Sequence, residues 1–339
     1  MSPKILSYSN PFPLDSGDIL PSIDIAYHTF GSLNADKSNV VWICHAFSAN
    51  SDPSDWWPGM VGDGKYFDPG KYFIVCANML GSCYGSTGPL SINPATNAPY
   101  YGDFPVITVR DMVRSLILLR RHLGIEKIWF SLGFSMGGQQ LLEWVIQEPD
   151  IFENVLFGAT NIQHSPWGIA FNESQRMAIE ADSTFGERHE KAGAMGMRAA
   201  RSIGLISYRN YQAYCKTQED TDNSKLKDFK ACGYQRYQGD KLVRRFNAYS
   251  YYRLSQAMDN HNIMRDRTDD PAAILSQVKA RTLVLGINSD YLFPVPEQQL
   301  LAQHIPGSRF VTIDSDYGHD GFLIEFEKIS LLLNDFLGL

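Results

Sequence analysis

Six short apolar runs constrain what this chain can fold into. They are Val40–Cys44, Tyr72–Cys76, Ile128–Leu132, Val155–Phe157, Thr282–Leu285 and Phe310–Ile313, and they run on without the polar alternation of a half-exposed strand. A strand that shows one face to water alternates; one covered on both faces does not. Helical patterns lie between the runs. From Thr108 to Leu123, Thr108 and Asp111 have the spacing of a capping box, and Val109, Met112, Val113, Leu116 and Leu119 recur at helical intervals. Strand and helix in alternation predict βαβ units and a doubly wound, mostly parallel α/β sheet.

The alternation stops near Asn161 and resumes at Thr282. Between them only helical patterns are visible, apart from the polar stretch Lys216 to Lys230, which is expected to be a solvated loop or an exposed helix. The expected organisation is therefore a first part of an α/β core at 1–165, a helical lid insertion at 166–274 and the last part of the core at 275–339. From Pro166 to Ile274 there are 17 Lys/Arg against 14 Asp/Glu, a balance of +3; the remainder has 13 against 23, a balance of −10. An anionic ligand is accordingly expected at the insertion.

Composition enters by exclusion. With 44% hydrophobic and 20% charged residues among 339, the chain is not of the disordered class. The net charge of −7 leaves no surplus of cations to neutralise phosphates, which argues against a nucleic-acid partner. No stretch approaches 18 uninterrupted apolar residues, so no membrane span is expected. Residues 1–17 have no apolar core of a signal peptide. The five cysteines, Cys44, Cys76, Cys83, Cys215 and Cys232, are odd in number and include no C-x-x-C pair, which suits reduced thiols in a cytoplasmic protein. No HExxH or Cys/His cluster is present, so no metal is expected.

Gly133-Phe134-Ser135-Met136-Gly137-Gly138 fits G-x-S-x-G, after a predicted strand and before a predicted helix, Gln139 to Gln147. That context matters: the serine must sit on a sharp strand-to-helix turn with small neighbours, and the helix N-terminus then aims free N–H groups at a developing oxyanion. A serine hydroxyl needs a base, and the base an orienting carboxylate, in the chain order Ser, Asp/Glu, His. His319 follows the run Phe310–Ile313, and Asp290 follows Thr282–Leu285, both at the carboxyl ends of predicted strands, where ligands bind in open α/β sheets. Asp314 and Asp316 are rival orienters; His319 with Asp290 is the favoured pair. His45, ahead of Ser135, suits the oxyanion-hole turn better than the base. The glycine-rich stretch Gly81–Pro89 lacks G-K-[ST], so it is not a phosphate loop and is expected to pack beside the active site and shape its pocket.

These residues carry a resemblance that runs almost end to end. The chain resembles the homoserine O-acetyltransferases, acyltransferases of the α/β-hydrolase fold that work in methionine biosynthesis. The matching segments include Tyr27–Gly31, Trp42–Ala46, Met60–Gly62, Gly81–Pro89, Asp103–Pro105, Arg110–Val113, the turn at Ser135, Tyr237–Gly239 and Tyr317–Asp320. The resemblance implies Ser135 as nucleophile, His319 as base and Asp290 as its orienter, with an oxyanion hole from the backbone N–H groups of Phe47 and Met136. It implies that Arg201 and Tyr208, seven apart on a predicted helix, hold the carboxylate of homoserine, and that Asp320 takes its ammonium. It also implies a homodimer through the insertion, small-molecule substrates, and acetyl-CoA as co-substrate with no resident cofactor. Phe47-Ser48-Ala49 stands where the family usually has Leu-Thr-Gly, and Ser82 where it often has glycine. Those departures leave succinyl-CoA or L-serine as alternatives. A plain serine esterase would need the triad without Arg201, Tyr208 and Asp320. Lys241, Arg244 and Arg245 are given no role.

Overall fold

A computed structural model describes residues 2–339. Its centre is an eight-stranded sheet: β1 (Lys4–Tyr8), β2 (Ile23–Phe30), β3 (Val40–Cys44), β4 (Phe73–Ala77), β5 (Ile128–Phe134), β6 (Phe152–Gly158), β7 (Arg281–Ile287) and β8 (Arg309–Ile313). The spatial order is β1-β2-β4-β3-β5-β6-β7-β8. β2 runs antiparallel to β1 and β4, and the other pairings are parallel. All six apolar runs lie in this sheet. β1 and β2 escaped the sequence reading because Ser7, Asp24 and His28 interrupt their apolar pattern. Both belong to the antiparallel edge, where one face can meet water.

The central strands divide their side chains between two cores. Val40, Trp42 and Cys44 pack on one face with Trp144, Met112 and Leu116. Val41 and Ile43 pack on the other with Phe130, Leu132 and Phe322. Trp42 meets the edge of Trp144 at 4.9 Å between centroids, and Phe134 stacks on Phe322 at 4.7 Å. Burial on both faces is what the continuous runs required. Helix α1 (Val109–His122) begins with the expected capping box, Thr108 accepting from the Asp111 N–H and Asp111 from the Thr108 N–H. Helix α2 (Met136–Gln147) starts three residues earlier than its apolar pattern suggested, directly behind Ser135.

After β6 the chain leaves the sheet. Five helices follow, α3 (Pro166–Glu180), α4 (Ala194–Tyr208), α5 (Tyr211–Gln218), α6 (Lys230–Val243) and α7 (Ala248–Asp259), then the short α8 (Pro271–Leu275). Among the described residues of this stretch the only bridge is Gln163 with Asn262. The polar stretch Lys216 to Lys230 is mostly irregular, between the end of α5 and the start of α6. β7 then pairs with β6, so the segments before and after the helices share one sheet. Helices α9 (Val295–His304) and α10 (Phe326–Leu337) complete the layers. Among the described residues no helix is long and apolar enough to cross a membrane.

The loop Gly81–Pro89 packs against Arg245, whose side chain donates to the Tyr84 hydroxyl and whose carbonyl accepts from Cys83 Sγ at 3.6 Å, and the loop also pairs with β2. Its backbone and hydroxyls complete β2: Thr87 N–H donates to Asp24 O at 2.9 Å, the Asp24 N–H to Thr87 Oγ1 at 2.7 Å, and the Ala26 N–H to Ser86 Oγ at 3.0 Å. These bonds serve the part of β2 that β4 does not reach. Arg245 lines the cavity at Ser135, so the loop stands behind that cavity's wall as well as along the strand edge.

Helix α2 is clamped from behind. Glu143, its side chain only 2% exposed, receives hydrogen bonds from Arg267, one of them at 3.0 Å, and lies 3.5 Å from Arg110 of α1. Breaking a buried ion pair by removing one partner strands the other charge. Glu143→Leu is expected to lower unfolding free energy by about 3 kcal/mol; an unchanged midpoint in a urea titration would contradict this clamp.

Candidate active site

Ser135 occupies the turn between β5 and α2 with φ 56° and ψ −130°, a strained conformation for a residue with a Cβ. Such strain costs on the order of 1–3 kcal/mol and persists only where surrounding bonds over-determine it. Here the Ser135 N–H is shared between Gly158 O and Ala159 O at 3.1 and 3.2 Å, while its carbonyl accepts from Thr160 Oγ1 at 3.0 Å and the Gln139 N–H at 3.1 Å. Gly137 lets α2 meet β3: a Cβ there would lie 2.1 Å from Cys44 O. The result is a side chain lifted above the sheet's carboxyl edge, with the Met136 N–H leading the helix.

The base arrives from the far side of the sheet. Asp290 sits in the loop after β7 and His319 in the loop after β8. His319 Nδ1 and Asp290 Oδ2 are 2.7 Å apart, and both side chains are buried. Asp290 Oδ1 accepts from the N–H groups of Leu292 and Phe293 at 2.8 and 2.9 Å, so the carboxylate is fixed from both oxygens. That geometry puts the histidine proton on Nδ1 and leaves Nε2 as the acceptor. The rival Asp314 carboxylate accepts from Asn288 and its backbone carbonyl from Lys328, and among the described residues neither Asp314 nor exposed Asp316 takes part in the histidine's hydrogen bond. Ser289, which the sequence did not single out, staples the two loops: its hydroxyl donates to Ser315 O at 2.5 Å and accepts from the Gly318 N–H at 3.1 Å.

The imidazole lies between rings. Phe293 stacks on it at 5.1 Å, Phe322 meets it edge-on at 5.7 Å, and Tyr208 lies at 6.0 Å. Gly318, at φ 63°, lets the backbone just after α4 approach, since a Cβ there would lie 2.9 Å from the Arg209 carbonyl carbon. Burial alone would lower the His319 pKa. The Asp290 carboxylate, through its charge and hydrogen bond, and then Asp320 outweigh that effect, and the net shift is upward from 6.5.

The loop after β3 carries the second oxyanion-hole candidate. Burial lowers the His45 pKa to about 4, against an opposing bond to Ala46, so the ring is neutral near pH 7. Its Nε2 accepts from the Met79 N–H at 3.4 Å, and Nδ1 donates to Ala46 O at 2.9 Å. Gln140 of α2 also donates to His45 O and Met136 O, at 3.4 and 3.3 Å. Phe47 is therefore anchored beside the turn that carries Met136.

A cavity of about 500 Å³ gathers these groups. Ser135, His319 and Phe47 line it together with Arg201, Tyr208 and Asp320. The Arg201 guanidinium lies over the Tyr208 ring at 5.3 Å, and among the described residues no carboxylate pairs with it. Asp320 contacts Arg209 at 3.1 Å. Lys241 and Arg245, left without a role in the sequence reading, line the same cavity, as do Gln175 and Trp56. No sequence signal separated those two cations from a solvated helix face. A larger groove of about 870 Å³ lies among α4, α5 and α6 and contains none of the triad residues.

A sequence model of the α/β hydrolase fold matches residues 39–326. A homoserine O-acetyltransferase of Cyclobacterium marinum is 47% identical, covering 99% of this chain and 95% of its own. One of Chlorobium chlorochromatii is 43% identical, covering 99% and 96%. The crystal structure of a homoserine O-acetyltransferase from Bacillus anthracis superposes with a TM-score of 0.90 at 23% identity, covering 100% of this chain and 98% of that one.

A base acts in its neutral form, and a raised pKa means the neutral form appears only at higher pH. The acid limb of kcat/KM for p-nitrophenyl acetate is therefore expected above pH 6.5, and Asp320→Asn is expected to move it down. A limb below 6.5, or one indifferent to Asp320→Asn, would contradict the assignment of His319.

Proposed function

This chain belongs to the homoserine O-acetyltransferase family of α/β hydrolases, and we propose that it moves an acetyl group from acetyl-CoA to the hydroxyl of L-homoserine through an acetyl-serine intermediate. The product, O-acetylhomoserine, belongs to methionine biosynthesis. One observation carries the reading of the site: the cavity lined by Ser135 and His319 is also lined by a cation, a phenol and a carboxylate suited to an amino acid.

In the first step His319 Nε2 takes the Ser135 hydroxyl proton as Oγ attacks the thioester carbonyl. The N–H groups of Phe47 and Met136 receive the oxyanion, a contribution of about 10²–10³ in rate per donor. The C–S bond breaks, the CoA sulfur takes the proton from His319, and acetyl-Ser135 remains. Homoserine then enters with its carboxylate on Arg201, whose guanidinium no acidic residue claims among the described residues, and its ammonium beside Asp320. His319 removes the γ-hydroxyl proton, the new ester forms, and the proton returns to Ser135. Transfer outruns hydrolysis when the acceptor is held at high effective concentration and water is limited. The helices 166–274, read as a lid, supply both.

The reading uses acetyl-CoA as co-substrate and no resident cofactor, metal, nucleic acid or membrane. It places the protein in the cytoplasm, in keeping with five cysteines that are all free. It includes a homodimer through the lid, supported by the groove of about 870 Å³ and the exposed Met195, Ile206 and Tyr211 that line it. Both curated relatives compared above bear the acetyl name, which disfavours the succinyl alternative.

A CoA-release assay crossing acetyl-CoA and succinyl-CoA with homoserine and serine tests the proposal. Acetyl-CoA with homoserine is expected to dominate, and Arg201→Leu to raise the homoserine KM by roughly 10²-fold, the loss of a charge-assisted fork. Release that is indifferent to homoserine would instead indicate a hydrolase.

A further inference from the structure

Tyr251, on α7, takes no part in the mechanism above, yet it is completely buried and touches groups from two other elements of the site. Its ring meets Phe47, the oxyanion-hole candidate after β3, edge-on at 4.7 Å and 80°. Its hydroxyl donates to Gln175 Oε1 on α3. Gln175 in turn lies beside the Tyr208 hydroxyl: a Cβ on Gly204 would meet Gln175 Oε1 at 2.7 Å and the Tyr208 hydroxyl oxygen at 3.3 Å. Gln175 Nε2 donates to Phe171 O at 2.9 Å, which fixes the amide with Oε1 towards Tyr251.

Counting protons orders the chain. A hydroxyl has one proton, and a Gln oxygen only accepts. The Tyr251 proton therefore goes to Gln175. Gln175, held from behind in this way, lies beside the Tyr208 ring on which the Arg201 guanidinium stacks, 5.3 Å from the centroid. The opposite end of Tyr251, its ring, presses on the residue whose N–H must meet the oxyanion. Buried, satisfied polar chains of this kind fix one arrangement of the groups they join.

Building on the acyl-transfer reading, we propose that Tyr251 is a positioning residue with two separable arms: its hydroxyl sets the acceptor site through Gln175, which lines the cavity beside Tyr208 and Arg201, and its ring sets the oxyanion hole through Phe47. One side chain thus bridges α7, α3 and the loop after β3.

The two arms fall in different half-reactions, so they can be read apart. The CoA burst from acetyl-CoA without acceptor reports acylation, and the steady-state homoserine KM reports the acceptor site. Tyr251→Phe keeps the ring and is expected to raise the homoserine KM about 3- to 10-fold, the loss of one neutral hydrogen bond that fixes Gln175, with the burst rate unchanged. Tyr251→Leu removes the ring contact as well and is expected to slow the burst by at least about 10-fold, the effect of a displaced catalytic group. If Tyr251→Leu does not fold by thermal unfolding, Phe47→Leu reports the ring arm in its place, with the same slowed burst expected. An unchanged KM in Tyr251→Phe, or equal losses in both half-reactions in both variants, would overturn the proposal. A wild-type protein with no homoserine-dependent turnover would overturn the acyl-transfer reading itself, a result visible before any variant is made.

Discussion

The turn at Ser135 is the constraint from which the rest of the site is built. A serine at φ 56° is held there by bonds from β6, from Thr160 and from its own helix, and by a glycine that lets α2 cross β3 at backbone contact. The strain costs on the order of 1–3 kcal/mol, so the flanking strands must be rigid. Two cores on opposite faces of the sheet supply that rigidity. The Glu143 clamp on the back of α2 keeps the helix from drifting away from the turn it caps. In exchange, the hydroxyl stands clear of the sheet and the helix N-terminus faces the place where negative charge develops.

What turns such a site from hydrolysis towards transfer is its ceiling. The loop of His319 and the end of α4 approach at Gly318, which brings Tyr208, Arg209 and Asp320 to the edge of the imidazole. In the proposed reaction Asp320 acts twice: it raises the His319 pKa, and it offers a carboxylate to the incoming ammonium. The slight positive balance of residues 166–274 is realised in part at the cavity, through Arg201, Lys241 and Arg245. A net charge of −7 concealed that division of labour.

The parts of this architecture that were legible in sequence are those with short-range causes. Continuous apolar runs mark strands covered on both faces, and Thr108 with Asp111 marks a helix start, because neighbouring residues alone decide both. Ser135, Asp290 and His319 were singled out because one motif and a chain order imply a shared strand edge. Arg201, Tyr208 and Asp320 came from the resemblance, since a helical Arg and a loop Asp carry no signature of their own. The edge strands β1 and β2 were hidden by Asp24 and His28. Ser289, Tyr251 and the pairing of loop 81–89 with β2 were invisible because their partners lie far along the chain.

The central claim is that an acetyl group rests on Ser135 between donor and acceptor. Intact-protein and peptide mass spectrometry after mixing with acetyl-CoA tests it directly. The account predicts a single acetyl addition on the peptide that contains Ser135, lost on adding homoserine with O-acetylhomoserine formed in equal amount. No addition under rapid quenching, an addition at another residue, or its discharge only to acetate would contradict it.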